Sequence, residues 1–148
     1  MHGPSPAKLL YHFHIVGQDF TIAGEVSSKI RRILQQIGAS PDTIRRISVA
    51  TYEAEMNVVI HADEADVTLE ADAGIIRITI ADHGPGIPDV EKAKQPGFST
   101  ASEEIREMGF GAGMGLPNIL RCADDVSIDT VVGEGTRITM EFLNSPEA

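Results

Sequence analysis

A single cysteine, Cys122, stands in 148 residues, so neither an intramolecular disulfide framework nor a multi-cysteine metal site can form. Tryptophan is absent and aromatic residues make up 5%, too few for the stacking platforms that hold single-stranded nucleic acid. Basic residues are outnumbered, with 12 Lys and Arg against 22 Asp and Glu, a formal net charge of −10. A chain with this balance is a poor match for phosphate backbones or anionic membrane surfaces, and neither is expected as a partner. No apolar run approaches the roughly 18 residues of a membrane span. The opening residues lack a charged segment followed by an apolar one, so a cytoplasmic, reducing setting is expected. What remains is 42% hydrophobic residues in the length of one ordinary domain, enough for a genuine core.

Residues 1–7 are rich in Pro, Gly and Ser and read as a loose tail, leaving 8–144 as a single domain. Leu9, Tyr11, Phe13 and Ile15 alternate with His12 and His14, the period of a strand with one apolar face. That face is either core or a contact between two copies. From Phe20 to Ile37 apolar residues recur at three-to-four spacing, which predicts an amphipathic helix closed by Gly38. Ser40-Pro41 is a helix start, and the next helix is expected to run to about His61. Two alternating stretches, Val67–Ala71 and Ile76–Ile80, form a hairpin. Residues 83–115 hold seven of the 14 glycines, as a long functional loop with a short helical stretch near 102–108. A helix over 116–123 and a hairpin over 126–143, turning at Gly133-Glu134-Gly135, close the chain. The order β-α-α-β-β-loop-α-β-β predicts an α+β two-layer sandwich. Its expected parts are a mixed, mostly antiparallel five-stranded sheet and three main helices on one face.

Three clusters carry chemistry. Glu53 and Asn57 are i,i+4 on one helix face; together they can hold a hard cation and a water or hydroxyl, or simply form a solvated polar stripe. Asp82, at a strand end before Gly84, Gly86 and Ile87, sets a carboxylate beside closely approaching backbone. It can accept hydrogen bonds from the amino group of a base, or the segment is a plain Gly/Pro turn. Gly109, Gly111, Ala112, Gly113, Met114, Gly115 and Leu116 lead into a helix and leave backbone N–H groups free to cradle an anion, or act as a hinge. The run is neither a Walker A loop nor a dinucleotide fingerprint. His12 and His14 read as an exposed strand face, His61 as a helix end or a group near phosphates, and Cys122 as a small core residue.

In this order the clusters resemble the boxes of the GHKL ATPase superfamily (gyrase, Hsp90, histidine kinase, MutL). Glu53 to Asn57 is similar to its N box, Asp82-x-Gly84-x-Gly86 to its G1 box, Gly111-x-Gly113-x-Gly115-Leu116 to its G2 box, and Gly135-Thr136 to its late Gly-Thr pair. Within that superfamily the chain looks most like the stand-alone anti-sigma-factor and switch-type serine kinases of partner-switching modules. The resemblance implies a Bergerat-type ATP-binding fold with a lid at about 88–114. It implies Glu53 as general base, Asn57 as Mg²⁺ ligand and Asp82 as reader of the adenine amino group, with Thr136 supporting that site and the glycine run holding the phosphates of ATP. Lys94 and Arg106 are the candidate cations for the γ-phosphate. The implied activity is phosphorylation of a Ser or Thr on a STAS-domain partner, in a homodimer, with a sigma factor or a downstream phosphatase as further partners. The alternatives are an ATP-gated module that sequesters a sigma factor or other regulator without catalysis, and the catalytic domain of a histidine kinase acting in trans.

Overall fold

The computed structural model describes residues 9–72, 74–96 and 115–144. Five strands, β1 (Leu9–Val16), β2 (Glu64–Ala71), β3 (Ile75–His83), β4 (Asp125–Val131) and β5 (Gly135–Leu143), form one sheet in the order β1-β2-β3-β5-β4. All four ladders are antiparallel. β3 and β4 run in the same direction, but β5 inserts between them, so no parallel pair joins the expected mixture.

Alternation explains the layering. Val67, Leu69, Ile78, Ile80, Ile138 and Met140 point to one face and are buried, while His12, Asp66, Ser127 and Arg137 point to the other and are exposed. The helices α1 (Glu25–Gln36), α2 (Pro41–His61) and α4 (Gly115–Cys122) lie in one layer on the apolar face. A short helix, α3 (Val90–Ala93), follows β3 in the segment read from sequence as loop. The apolar face of β1 is core: Ile15 is buried, and Leu9, Tyr11 and Phe13 pack on the same cluster. On the opposite face His14 sits between Asp66 and Glu64. The short helix expected near 102–108 lies outside the described residues.

α2 begins as its sequence dictates. Ser40 accepts a hydrogen bond from the Thr43 amide, Pro41 occupies the first turn, and Ile47, Thr51, Ala54 and Val58 are buried. Arg46 anchors the helix to the end of α4, donating to the Cys122 carbonyl and the Asp124 carboxylate at 3.1 Å each.

The helix expected over 20–37 is divided. Phe20–Ile22 is a single 3-10 turn, and α1 starts only after Gly24, whose φ is +92°. The reason lies 31 residues away. Glu55 of α2 is buried, and its carboxylate accepts from the amides of Gly24, Val26 and Ser27 and from the Ser27 hydroxyl, at 2.6–3.2 Å. A carboxylate supplied by another helix therefore caps α1, where periodicity alone suggested one continuous helix. Ile22, counted on the apolar stripe, is exposed in consequence.

Candidate functional site

α2 is the backbone of the site. Its polar stripe carries Glu53 and Asn57, one turn apart and both half-buried, facing α4. Glu53 Oε1 accepts from Asn118 Nδ2 at 3.3 Å, and Asn118 Oδ1 in turn accepts from Arg121 at 2.8 Å. The carboxylate is thus oriented from the facing helix, with a guanidinium one residue behind. Asn57 has no hydrogen-bond partner among the described residues, and α4 starts directly against it. A Cβ on Gly115 would lie 3.1 Å from Asn57 Oδ1, so only glycine lets the chain pass without pushing the amide aside. An amide oxygen beside a carboxylate suits a cation that takes few protein ligands and completes its shell with phosphates and water, as Mg²⁺ does. Among the described residues no group of three His, Cys, Asp or Glu forms a dedicated metal cage.

The second half of the site is at the end of β3. Asp82 Oδ1 accepts from the Thr136 amide of β5 at 3.0 Å. Burial pushes the Asp82 carboxyl above its ordinary pKa, opposed by the amides of Thr136 and Gly84 and by nearby His83 and His61. His61 closes α2 and is held below its ordinary pKa by burial, partly offset by the Asp82 charge. It lies close enough to feel that carboxylate, so it belongs to the Asp82 end of the site.

The Gly-Thr pair explains itself here. Gly135 has φ +147°, and a Cβ at this position would fall on the Asp82 carbonyl oxygen. The next residue, Thr136, is buried, with its hydroxyl 2.9 Å from that of Thr130. Thr130 Oγ1 also receives the Ile87 amide at 2.8 Å, tying the segment after Asp82 to the β4–β5 hairpin. Gly86 packs against the Val131 carbonyl, and Gly84 against Ala62 at the end of α2. Gly84, Gly86, Ile87 and Thr136 are thereby gathered around Asp82.

Leu116 is placed differently: its side chain is in the core, so its backbone amide at the start of α4 is what it can offer a ligand. Gly109, Gly111, Ala112, Gly113, Met114 and Arg106 lie outside the described residues. Lys94 pairs with Glu91 on the exposed end of α3. Three residues escaped the sequence reading. Thr130 is legible in hindsight from hairpin register, because it pairs directly with Thr136. Asn118 follows Gly115 by three positions on one helix face. Glu55, inside the same five-residue box as Glu53 and Asn57, carried no local signal of its capping role.

A carboxylate and an amide on one helix, a half-buried aspartate at the end of β3 and a helix start beside the amide define a nucleotide-binding class of domain. The chain matches the histidine kinase-like ATPase domain over residues 20–142, and it belongs to that family. It is 35% identical over 112 residues to the serine/threonine-protein kinase RsbT of Bacillus subtilis (strain 168), covering 73% of this chain and 78% of that protein. It is 35% identical over 117 residues to the anti-sigma F factor of Bacillus licheniformis, covering 74% and 75% respectively. The catalytic domain of histidine kinase ThkA shares the fold, with a TM-score of 0.55 at 16% identity, over 93% of this chain and 97% of that one. Among the described residues no helix is long and apolar enough to cross a membrane.

Proposed function

We propose that this protein is a serine/threonine kinase of a partner-switching module that transfers the γ-phosphoryl group of Mg-ATP to a hydroxyl on a STAS-type partner. The observation that carries the reading is the pairing of Glu53, oriented by Asn118, with the side-chain amide of Asn57 one turn along α2, unbonded among the described residues. The RsbT relative supports the activity and the anti-sigma F relative the regulatory setting.

In this reading Asp82 accepts the adenine amino group, and Thr136 fixes the carboxylate that does so. The glycine run 109–115 and the start of α4 hold the phosphates. Asn57 would contribute an oxygen to Mg²⁺, and the bound cation would supply charge neutralisation to the phosphates. Glu53 takes the proton of the partner hydroxyl as its oxygen bonds to the γ-phosphorus. The bridging oxygen–γ-phosphorus bond breaks, and ADP leaves with that electron pair. Positioning does most of the work, as in other phosphoryl transfers. The kinase acts in the cytoplasm as a homodimer, as a single domain over 8–144 with its lid at about 88–114. A sigma factor or a downstream phosphatase completes the module.

The test incubates the purified chain with γ-labelled ATP, Mg²⁺ and a purified STAS-domain protein, beside Glu53→Ala. Acid-stable label on the partner, absent with the variant, is the expected result. Acid-labile label would favour histidine kinase chemistry. ATP-dependent capture of the partner, without label and indifferent to Glu53→Ala, would favour a nucleotide-gated binding module.

A further inference from the structure

α1 and α2 pack their inner sides on the sheet and leave a groove of about 390 Å³ on the outside. It is lined by Arg31 and Gln35 of α1 and by Ile44, Arg45, Ser48 and Val49 of α2. Its floor is partly apolar, and Val49 and, one turn on, Tyr52 are 36% and 41% exposed.

The charge of this region is opposite to that of the chain. Residues 25–49 hold five of the 12 Lys and Arg but only two of the 22 Asp and Glu, a net +3 within a net −10. Lys29 is paired with Glu25, Arg46 with Asp42 and Asp124, and Arg45 with Asp42. Arg31 and Arg32 have no acidic partner among the described residues. A partly apolar floor rimmed by Arg31 and by Arg45, which shares Asp42 with Arg46, on an otherwise acidic protein, selects for an anionic ligand with an apolar stripe.

We infer that the α1–α2 groove docks an acidic amphipathic helix of a partner protein. Such a helix lays its apolar residues over Ile44 and Val49 and its carboxylates against Arg31 and Arg45. A second copy of this chain is a poor occupant, because a two-fold contact here would face Arg31 and Arg45 with the same cations. Val49 precedes Glu53 by one turn, about 6 Å along the axis of α2. A partner held in the groove is therefore brought beside Glu53. The inference concerns capture alone and does not rest on phosphoryl transfer.

The experiment titrates the full chain into a fluorescein-labelled helical peptide of about 20 residues, with Leu at i, i+3, i+4 and i+7 and Glu on the flanks. A twin peptide carries Lys for Glu. Anisotropy is expected to show binding of the acidic peptide that weakens with added salt. The double change Arg31→Glu and Arg45→Glu should weaken it by about tenfold or more and transfer preference to the Lys twin. Arg31→Gln, a milder surface change, should weaken it by about threefold. Retained ATP affinity in both variants reports that they fold. Equal binding of the twins, no binding of either, or an acidic-peptide affinity unmoved by both variants would overturn the inference. Glu53→Ala should bind the peptide as the parent does, so the groove and the transfer chemistry fail separately.

Discussion

The Thr136 amide donates to Asp82 Oδ1 at 3.0 Å, joining two strands across 54 residues of sequence at the end of β3. Asp82→Ala removes both the acceptor for a base amino group and the partner of that amide. Adenine nucleotide affinity is expected to fall by about a hundredfold, measured by calorimetry, since a lost charged hydrogen bond leaves a buried donor unpaired on each side. Unchanged affinity would remove Asp82 from the site.

Asp82→Asn separates binding from stability. The carboxyl is raised above its ordinary pKa, chiefly by burial. The native state therefore binds more protons than the unfolded chain above the unfolded pKa of 3.8, and stability is lost as pH rises through that window. A neutral amide that keeps the Thr136 bond escapes this penalty. Thermal denaturation at pH 7 should show Tm raised by about 1–3 °C while nucleotide binding weakens.

His61 shifts the other way. Burial lowers its pKa below 6.5, so the folded protein resists its protonation. Its contribution to stability is complete above pH 6.5 and is lost as pH falls below that value towards the lowered folded-state pKa. His61→Gln should flatten the dependence of Tm on pH between about 7 and 5 relative to the parent. Parallel curves for the two proteins would contradict the buried, neutral imidazole.

Glu55 is expected to matter for folding rather than for nucleotide. Glu55→Ala leaves the first amides of α1 without acceptors and should cost about 3 kcal/mol. The corresponding fall in Tm is about 6–12 °C. Urea denaturation of the variant, with ATP affinity measured on the folded fraction, distinguishes this cap from a role in the site.

Asn118 tests how Glu53 is held. Asn118→Ala frees the carboxylate from its 3.3 Å contact without altering the residues around Asp82. Phosphoryl transfer to the partner should fall by about tenfold with ATP affinity retained.

Most elements were legible because each has a local cause. Ser40-Pro41 starts α2, alternation marks β1, β2 and β3, and Gly133-Glu134-Gly135 turns the last hairpin. The placement of Glu53 and Asn57 on one face of α2 and of Asp82 at the end of β3 was legible as well, through helical spacing and a strand end. The division of the first helix was not, because the group that ends it is Glu55, on a different helix. Nor was the placement of Leu116, since an apolar residue beside a glycine run reads the same whether it faces a ligand or a core.

The sequence by itself determined the α+β layering, the chemistry available on α2 and β3, and the surplus of acid. Periodicity, caps and composition act over a few residues and need no partner to be read. Only the tertiary structure decided that Asn118 holds Glu53, that Thr136 fixes Asp82, and that α1 and α2 enclose a basic groove. These relationships join residues far apart in the chain, and their geometry exists only once the sheet register and the α2–α4 packing have formed.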